Sequence, residues 1–343
     1  MHSVERKCTP KAPDPEGKMM DEDQKLFSIF APHTFLRREE LQSSGRRLIH
    51  YTSAAAAISI IRNQRIWMRN VRCMNDFAEI RHGISLLQNS MKSNHASKIE
   101  EGLNKIFEET TAIFPGIANE TIDWFNASVR NIELNTYALC LSEHDEKENE
   151  HGRLSMWRAY TSGQVGVGLV LDTSPFYREA PDFGAYSSPV HYFNESKMNA
   201  IFAGILEKIR NNNSFLTQVG KEKTFEFMRN LLRHIAICTK HPGFVEEKEW
   251  RVLRTDGLDP RGSLELGVEI VNGVPQPIYK IPLQDDFERG MIGISIPALI
   301  ERVIIGPTQF PAAVWQALKT ELENVGVADA KDKIFCSNIP VRS

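Results

Sequence analysis

The sequence predicts an α+β fold built on one mixed sheet, and three observations point there. Apolar runs that suit buried strands, "TYALCLS" (136–142) and "GVGLVLD" (166–172), alternate with long stripes at helical spacing. The last third of the chain is mostly strand-like. An early strand at 46–53 has no partner in the helical segment after it, so it should join those later strands. With 343 residues, 41% hydrophobic and 25% charged, the chain is long enough to bury a full core.

The elements follow in order. Residues 1–45, with Pro10, Pro13, Pro15 and an acidic run near Asp21–Asp23, read as a mostly flexible tail. "RRLIHYTS" (46–53) is a buried strand, and "AAAAISIIRNQRIW" continues it as a helix with Ala54, Ala57, Ile58 and Ile61 on one stripe. A helical insert at about 77–131 carries Phe77, Ile80, Ile84, Leu87 and Met91 at helix spacing, with Asp76 and Glu79 as a capping box. Further helices fall at roughly 97–113 and 117–131. A third strand lies in 187–194, then helices at 196–211 and 221–239. Strands at 248–254, 264–271, 277–283 and 301–307, a helix at 311–325 and a last strand from 333 close a single domain over 46–343.

Composition narrows the function classes. A net charge of −3 lacks the basic footprint of a dedicated nucleic-acid binder. Cys8, Cys73, Cys140, Cys238 and Cys336 are odd in number and far apart, with no CxxC spacing, and read as reduced thiols. No apolar run reaches the length of a membrane span. The expectation is a cytoplasmic protein without membrane partners or a resident metal.

The stretch "FVEEKEWRVL" (244–253) poses the main question. Strand alternation puts Trp250 and Val252 on one face and Glu247, Glu249 and Arg251 on the other. Two carboxylates in a row on one strand face repel each other, and Arg251, next on that face, could offset the repulsion. Elsewhere, Trp157, Arg158 and Tyr160 precede a glycine-bearing strand, a set able to stack a flat ring and bind phosphate, or simply to pack a turn. The GxG at 166–168 is no dinucleotide fingerprint, because no helix follows it. The acidic loop 143–152 would suit a mobile lid. His50, Tyr51 and Thr52 also have plain readings, as a carbonyl-bonded histidine, a core aromatic and a helix cap. Asn75 reads first as a turn residue and second as a substrate contact. Asp172, Glu246 and Lys248 formally make the D…ExK set of a metal-dependent nuclease, at an unusually long spacing.

"HYTS" (50–53), "MND" (74–76), "CLSE" (140–143), "MWRAY" (156–160), "PGFVEEKEWR" (242–251) and "VIIGP" (303–307) together resemble a bacterial family of unknown function. That family looks like a divergent branch of the ADP-ribosyltransferase superfamily. The resemblance implies a split, bent mixed sheet with large helical insertions and NAD, as substrate, in its cleft. It implies His50 on the ribose, Tyr160 on nicotinamide and Glu249 completing the site, with Glu247-Lys248-Glu249 matching a Glu-x-Glu pattern. Tyr51, Thr52, Asn75, Arg158 and Arg251 would join the nucleotide site. Departures are the absent Ser-Thr-Ser strand, a middle Tyr that follows "MWR", and the large insert.

The chemistry fits carboxylates there. Nicotinamide–ribose cleavage passes through an oxocarbenium-like state, as glycoside cleavage does, and a carboxylate on the ribose strengthens as charge develops. A second carboxylate could then deprotonate the acceptor, its pKa raised by the like charge beside it. Protein, nucleic-acid and small-molecule acceptors are all compatible, as are roles as a toxin or a phage-defence effector. The alternatives are a module that senses NAD without turnover and the nuclease.

Overall fold

The computed structural model describes residues 20–74, 79–92, 102–161, 164–177, 182–271 and 273–340. Chain order begins with α1 (Glu22–Phe30), α2 (Pro32–Ser44), β1 (Arg47–Ser53), α3 (Ala54–Asn63) and β2 (Arg65–Asn70). Next come α4 (Glu79–Lys92), α5 (Leu103–Ile113), α6 (Ile117–Asn135), β3 (Thr136–His144), α7 (Leu154–Tyr160) and β4 (Gly166–Leu171). The middle holds β5 (Tyr186–Pro189), β6 (His191–Tyr192), α8 (Glu195–Asn211), α9 (Asn213–Val219), α10 (Lys221–Cys238) and β7 (Thr239–Lys240). Then β8 (Glu249–Thr255), β9 (Glu265–Val271), β10 (Val274–Pro282), α11 (Ile296–Leu299), β11 (Ile300–Ile305), α12 (Pro311–Asn324), α13 (Ala330–Lys333) and β12 (Ile334–Cys336) complete the chain.

The fold is α+β with a mixed sheet. Ten strands of the described residues form one sheet, antiparallel except for β11–β12. Its centre is β3, whose residues Thr136–Ser142 pair with the whole of β8 on one edge. The other edge is shared. β1 pairs with residues 142–144 and β2 with Tyr137 and Ala138, leaving Leu139, Cys140 and Leu141 without a strand neighbour on that side. From this split one branch runs through β1, β4, β11 and β12, the other through β2, β10 and β9.

Side-chain alternation then divides the core. One face carries Leu139, Leu141, Leu169, Trp250 and Val252, packed beneath α3 and α12. On the opposite face α4, α5, α6, α8 and α10 cover Ala138 and Leu253, while α7 covers Ile49, Tyr51, Val170 and Ile304. The two clusters on that face meet along a seam above β3, and the seam holds the charged residues.

Three expectations need correction. Residues 22–44 are helical, not a loose tail: Leu26, Ile29 and Phe30 recur at helix spacing and are buried, behind an Asp21–Gln24 capping box. The helix begun at Ala54 does not run through Trp67. Gln64 turns left-handed at its C-cap (φ 49°), and β2 starts at Arg65. Loop 143–152 is tied down, since Asp145 caps a 3₁₀ turn and Arg153 forks onto Glu148. The cap assigned to Asp76 and the contact assigned to Asn75 lie outside the described residues. No described helix is long and apolar enough to cross a membrane, and no disulfide joins Cys73, Cys140, Cys238 and Cys336.

Docking of α2 depends on a buried polar contact. Thr34 Oγ1 lies 2.9 Å from His191 Nε2 and 2.8 Å from His234 Nε2. Burial holds both imidazoles below their ordinary pKa, His234 at about 4, helped by positive neighbours. Unfolded histidines titrate near 6.5, so this contribution is complete above that pH and is lost as pH falls toward 4. Thermal unfolding from pH 7 to 4 should show a loss of up to about 3 kcal/mol from His234, and His234→Gln should flatten the slope. A pH-independent midpoint across that window would contradict the account.

Candidate functional site

Lys248 decides the local geometry. Its backbone is left-handed (φ 43°), so the 3₁₀ turn over Pro242–Glu247 ends there and the strand begins only at Glu249. Glu247 is therefore not a strand residue in a row with Glu249 and Arg251. It leaves the turn beside the strand end and still meets the same cation. Lys240, at the end of β7 and 2% exposed, lies 2.7 Å from Glu247 Oε2 and 3.4 Å from Glu249 Oε2. Arg251 forks onto Glu249, with Nε 2.7 Å from Oε1 and Nη2 3.0 Å from Oε2. Its Nη1 donates to the Ile237 carbonyl at 2.7 Å, joining β8 to the end of α10.

Two acids and two bases thus neutralise one another inside the protein, as buried charges must. Burial pushes the Glu249 pKa up, but Arg251 and then Lys240 outweigh it and hold the carboxyl at about 2. At Glu249 the direction is set by the Arg251 guanidinium and then by Lys240, which sits between the two carboxylates. Direct action of Glu249 on a substrate also meets an obstacle: both its oxygens are already occupied. Glu247 is half-buried at the mouth of the cluster, where Tyr160 Oη donates to its Oε2 at 3.4 Å. The Phe244 ring covers Lys240 at 4.5 Å.

His50 approaches from the split. The register pairs it with Leu169, on the face opposite Glu249, so strand alternation alone would keep them apart. The imidazole instead fills the gap in the β3 edge, and Nδ1 donates to the Cys140 carbonyl at 3.0 Å. A carbonyl only accepts, which fixes the tautomer and leaves Nε2 as an acceptor. Burial lowers the His50 pKa, keeping it neutral. The Cys140 thiol in turn bonds to the Glu249 carboxyl, so one residue separates the histidine from the acid. Tyr160 thus contacts Glu247, and Cys140 lies between His50 and Glu249, its carbonyl on the histidine and its thiol on the acid.

The remaining candidates divide. Tyr51 is a core aromatic, edge-on to Trp157 at 4.7 Å, its hydroxyl accepting from the Arg153 backbone N–H at 2.9 Å. Thr52 does not cap α3, because Ser53 does. Arg158 is exposed on α7, two residues before Tyr160 and so on a different side of that helix. Asp172 accepts from Ser174, and β1 and β3 lie between its strand and β8, roughly 14 Å of sheet. The D…ExK set is not assembled.

Trp157 explains motifs that sequence reading left unconnected. A Cβ on Gly152, Gly166 or Gly306 would come within 2.6 to 3.0 Å of its indole, and one on Gly168 within 3.3 Å. Those glycines form a slot, and the slot fixes α7 and hence Tyr160. Sequence reading also missed Arg153, whose guanidinium bonds Ser142 Oγ and the carbonyls of Glu143, Glu246 and Glu247. Lys240 and Cys140 were missed as well. No local pattern marks these three, since each acts on partners distant in sequence.

Among known proteins, the model of a protein family of unknown function (DUF2971) matches residues 156–252, a span that includes Trp157, Tyr160, Lys240, Glu247 and Arg251. No curated protein and no solved structure matches the chain.

Two outcomes follow. Gly306→Ala should destabilise by about 1–3 kcal/mol through overpacking of Trp157 and change the near-ultraviolet dichroism of the indole; an unchanged spectrum and midpoint would remove the slot. Glu249 has a depressed folded pKa, so its contribution is complete above about 4.5 and lost as pH falls toward 2, on the order of 3 kcal/mol. Acid unfolding of Glu249→Gln should lack that component.

Proposed function

We propose that the chain is an NAD-dependent ADP-ribosyltransferase, with NAD in the seam beside the split of β3. The observation that carries this reading is the pairing of a split sheet edge, filled by His50, with the Tyr160–Glu247 contact in the adjoining seam. The resemblance to that superfamily implies this layout, and the fold supports it.

Roles follow from accessibility. Glu247 is the carboxylate that meets the ribose, stabilising positive charge as the nicotinamide bond lengthens. The Tyr160 ring packs on nicotinamide while its hydroxyl orients Glu247. His50 Nε2 accepts a hydrogen bond from a ribose hydroxyl, and Arg158 pairs with the pyrophosphate. Glu249 is a positioning residue: it holds Arg251 and Lys240, and Lys240 holds Glu247. No step requires a metal.

A second reading is a module that binds NAD without turnover. The neutralisation of Glu249 by Arg251 and Lys240 favours it, because a silent site has no need of a free acid there.

Nicotinamide release and calorimetric NAD binding, measured together, separate the two. The transferase reading expects Glu247→Gln to lower release by about 10²-fold or more with NAD affinity nearly unchanged. Binding without release in the wild type selects the sensor. Absence of NAD binding overturns both.

A further inference from the structure

The sheet face opposite the charged seam holds a cavity of about 480 Å³. Its floor is the alternate residues of the central strands, including Leu139, Leu169 and Val252, and Met291 lines it from the loop before α11. The volume lies within the range of small-molecule sites, roughly 300–1,000 Å³, and the described lining residues are mostly aliphatic and aromatic. Such walls exclude a nucleotide, whose phosphates and sugar would lose hydration without partners.

Among the described lining residues, charged and hydroxyl-bearing character gathers where α2 meets β5. There α2 delivers Arg38, whose Nη1 donates to the Ser187 carbonyl at 3.1 Å, and both residues line the cavity. A half-buried guanidinium at the edge of an apolar chamber matches a ligand with one anionic head and a hydrocarbon body. We propose that this cavity binds a small amphipathic carboxylate of the medium-chain fatty-acid class, its chain over Leu169 and Val252 and its carboxylate on Arg38. The site is separate from the seam and does not rest on the NAD reading.

Titration calorimetry of the full chain with decanoate and with neutral decanol tests this. The wild type should bind one decanoate saturably. Arg38→Gln should weaken decanoate by about 10-fold or more and decanol by less than about 2-fold. Ala185→Leu and Met291→Trp, which fill the chamber from different walls, should abolish both; a thermal midpoint identifies any variant that fails to fold, and the other then decides. No saturable decanoate binding, binding that survives filling, or equal weakening of both probes by Arg38→Gln would each overturn the proposal.

Discussion

Charge neutrality inside the seam is the constraint on which the structure depends. Glu249 and Arg251 are almost fully buried on the same strand face, and neither tolerates that burial alone. Arg251 satisfies Glu249 with two donors and uses a third on the Ile237 carbonyl, which draws the end of α10 onto β8. Lys240 follows directly from α10 and brings in Glu247, which sets the position of the turn over Pro242–Glu247. Arg153 fastens that turn to the end of β3 through two of its carbonyls. Helical layer, central strand and site loop are thus joined through one neutral group of charges.

The split in the β3 edge is the second constraint. Where β1 and β2 part, a backbone carbonyl loses its strand partner, and a buried carbonyl without a donor is costly. His50 supplies the donor. The same bond fixes the ring's tautomer, so a feature that repairs the sheet also prepares an acceptor. The hydrogen bond that meets the structural need at the split is thus compatible with the ribose contact proposed for His50.

Much of this was legible, and the failures have physical causes. Alternation places Trp250 and Val252 in the core, and both are buried. β3 and β4 were legible because strands covered on both faces are apolar throughout. The end of α3 was not, because a left-handed Gln64 leaves no mark in the hydrophobic pattern. Around residues 22–44 the neighbouring prolines and acids mask the Leu26–Ile29–Phe30 stripe. Glu247 was assigned to a strand because alternation continues through Lys248 in sequence while the backbone turns. Lys240, Cys140 and Arg153 are single residues with distant partners, and periodicity cannot reveal those.

A double-mutant cycle on Glu249 and Arg251, read by urea unfolding, tests the central claim most directly. Either single change, Glu249→Leu or Arg251→Met, leaves a charge buried without its partner and should cost about 3–5 kcal/mol. The double variant removes both charges and should cost well under the sum, with an interaction energy of more than about 1 kcal/mol. Costs that add within about 0.5 kcal/mol would mean the two residues act independently, and the account of the seam as one neutral unit would be wrong.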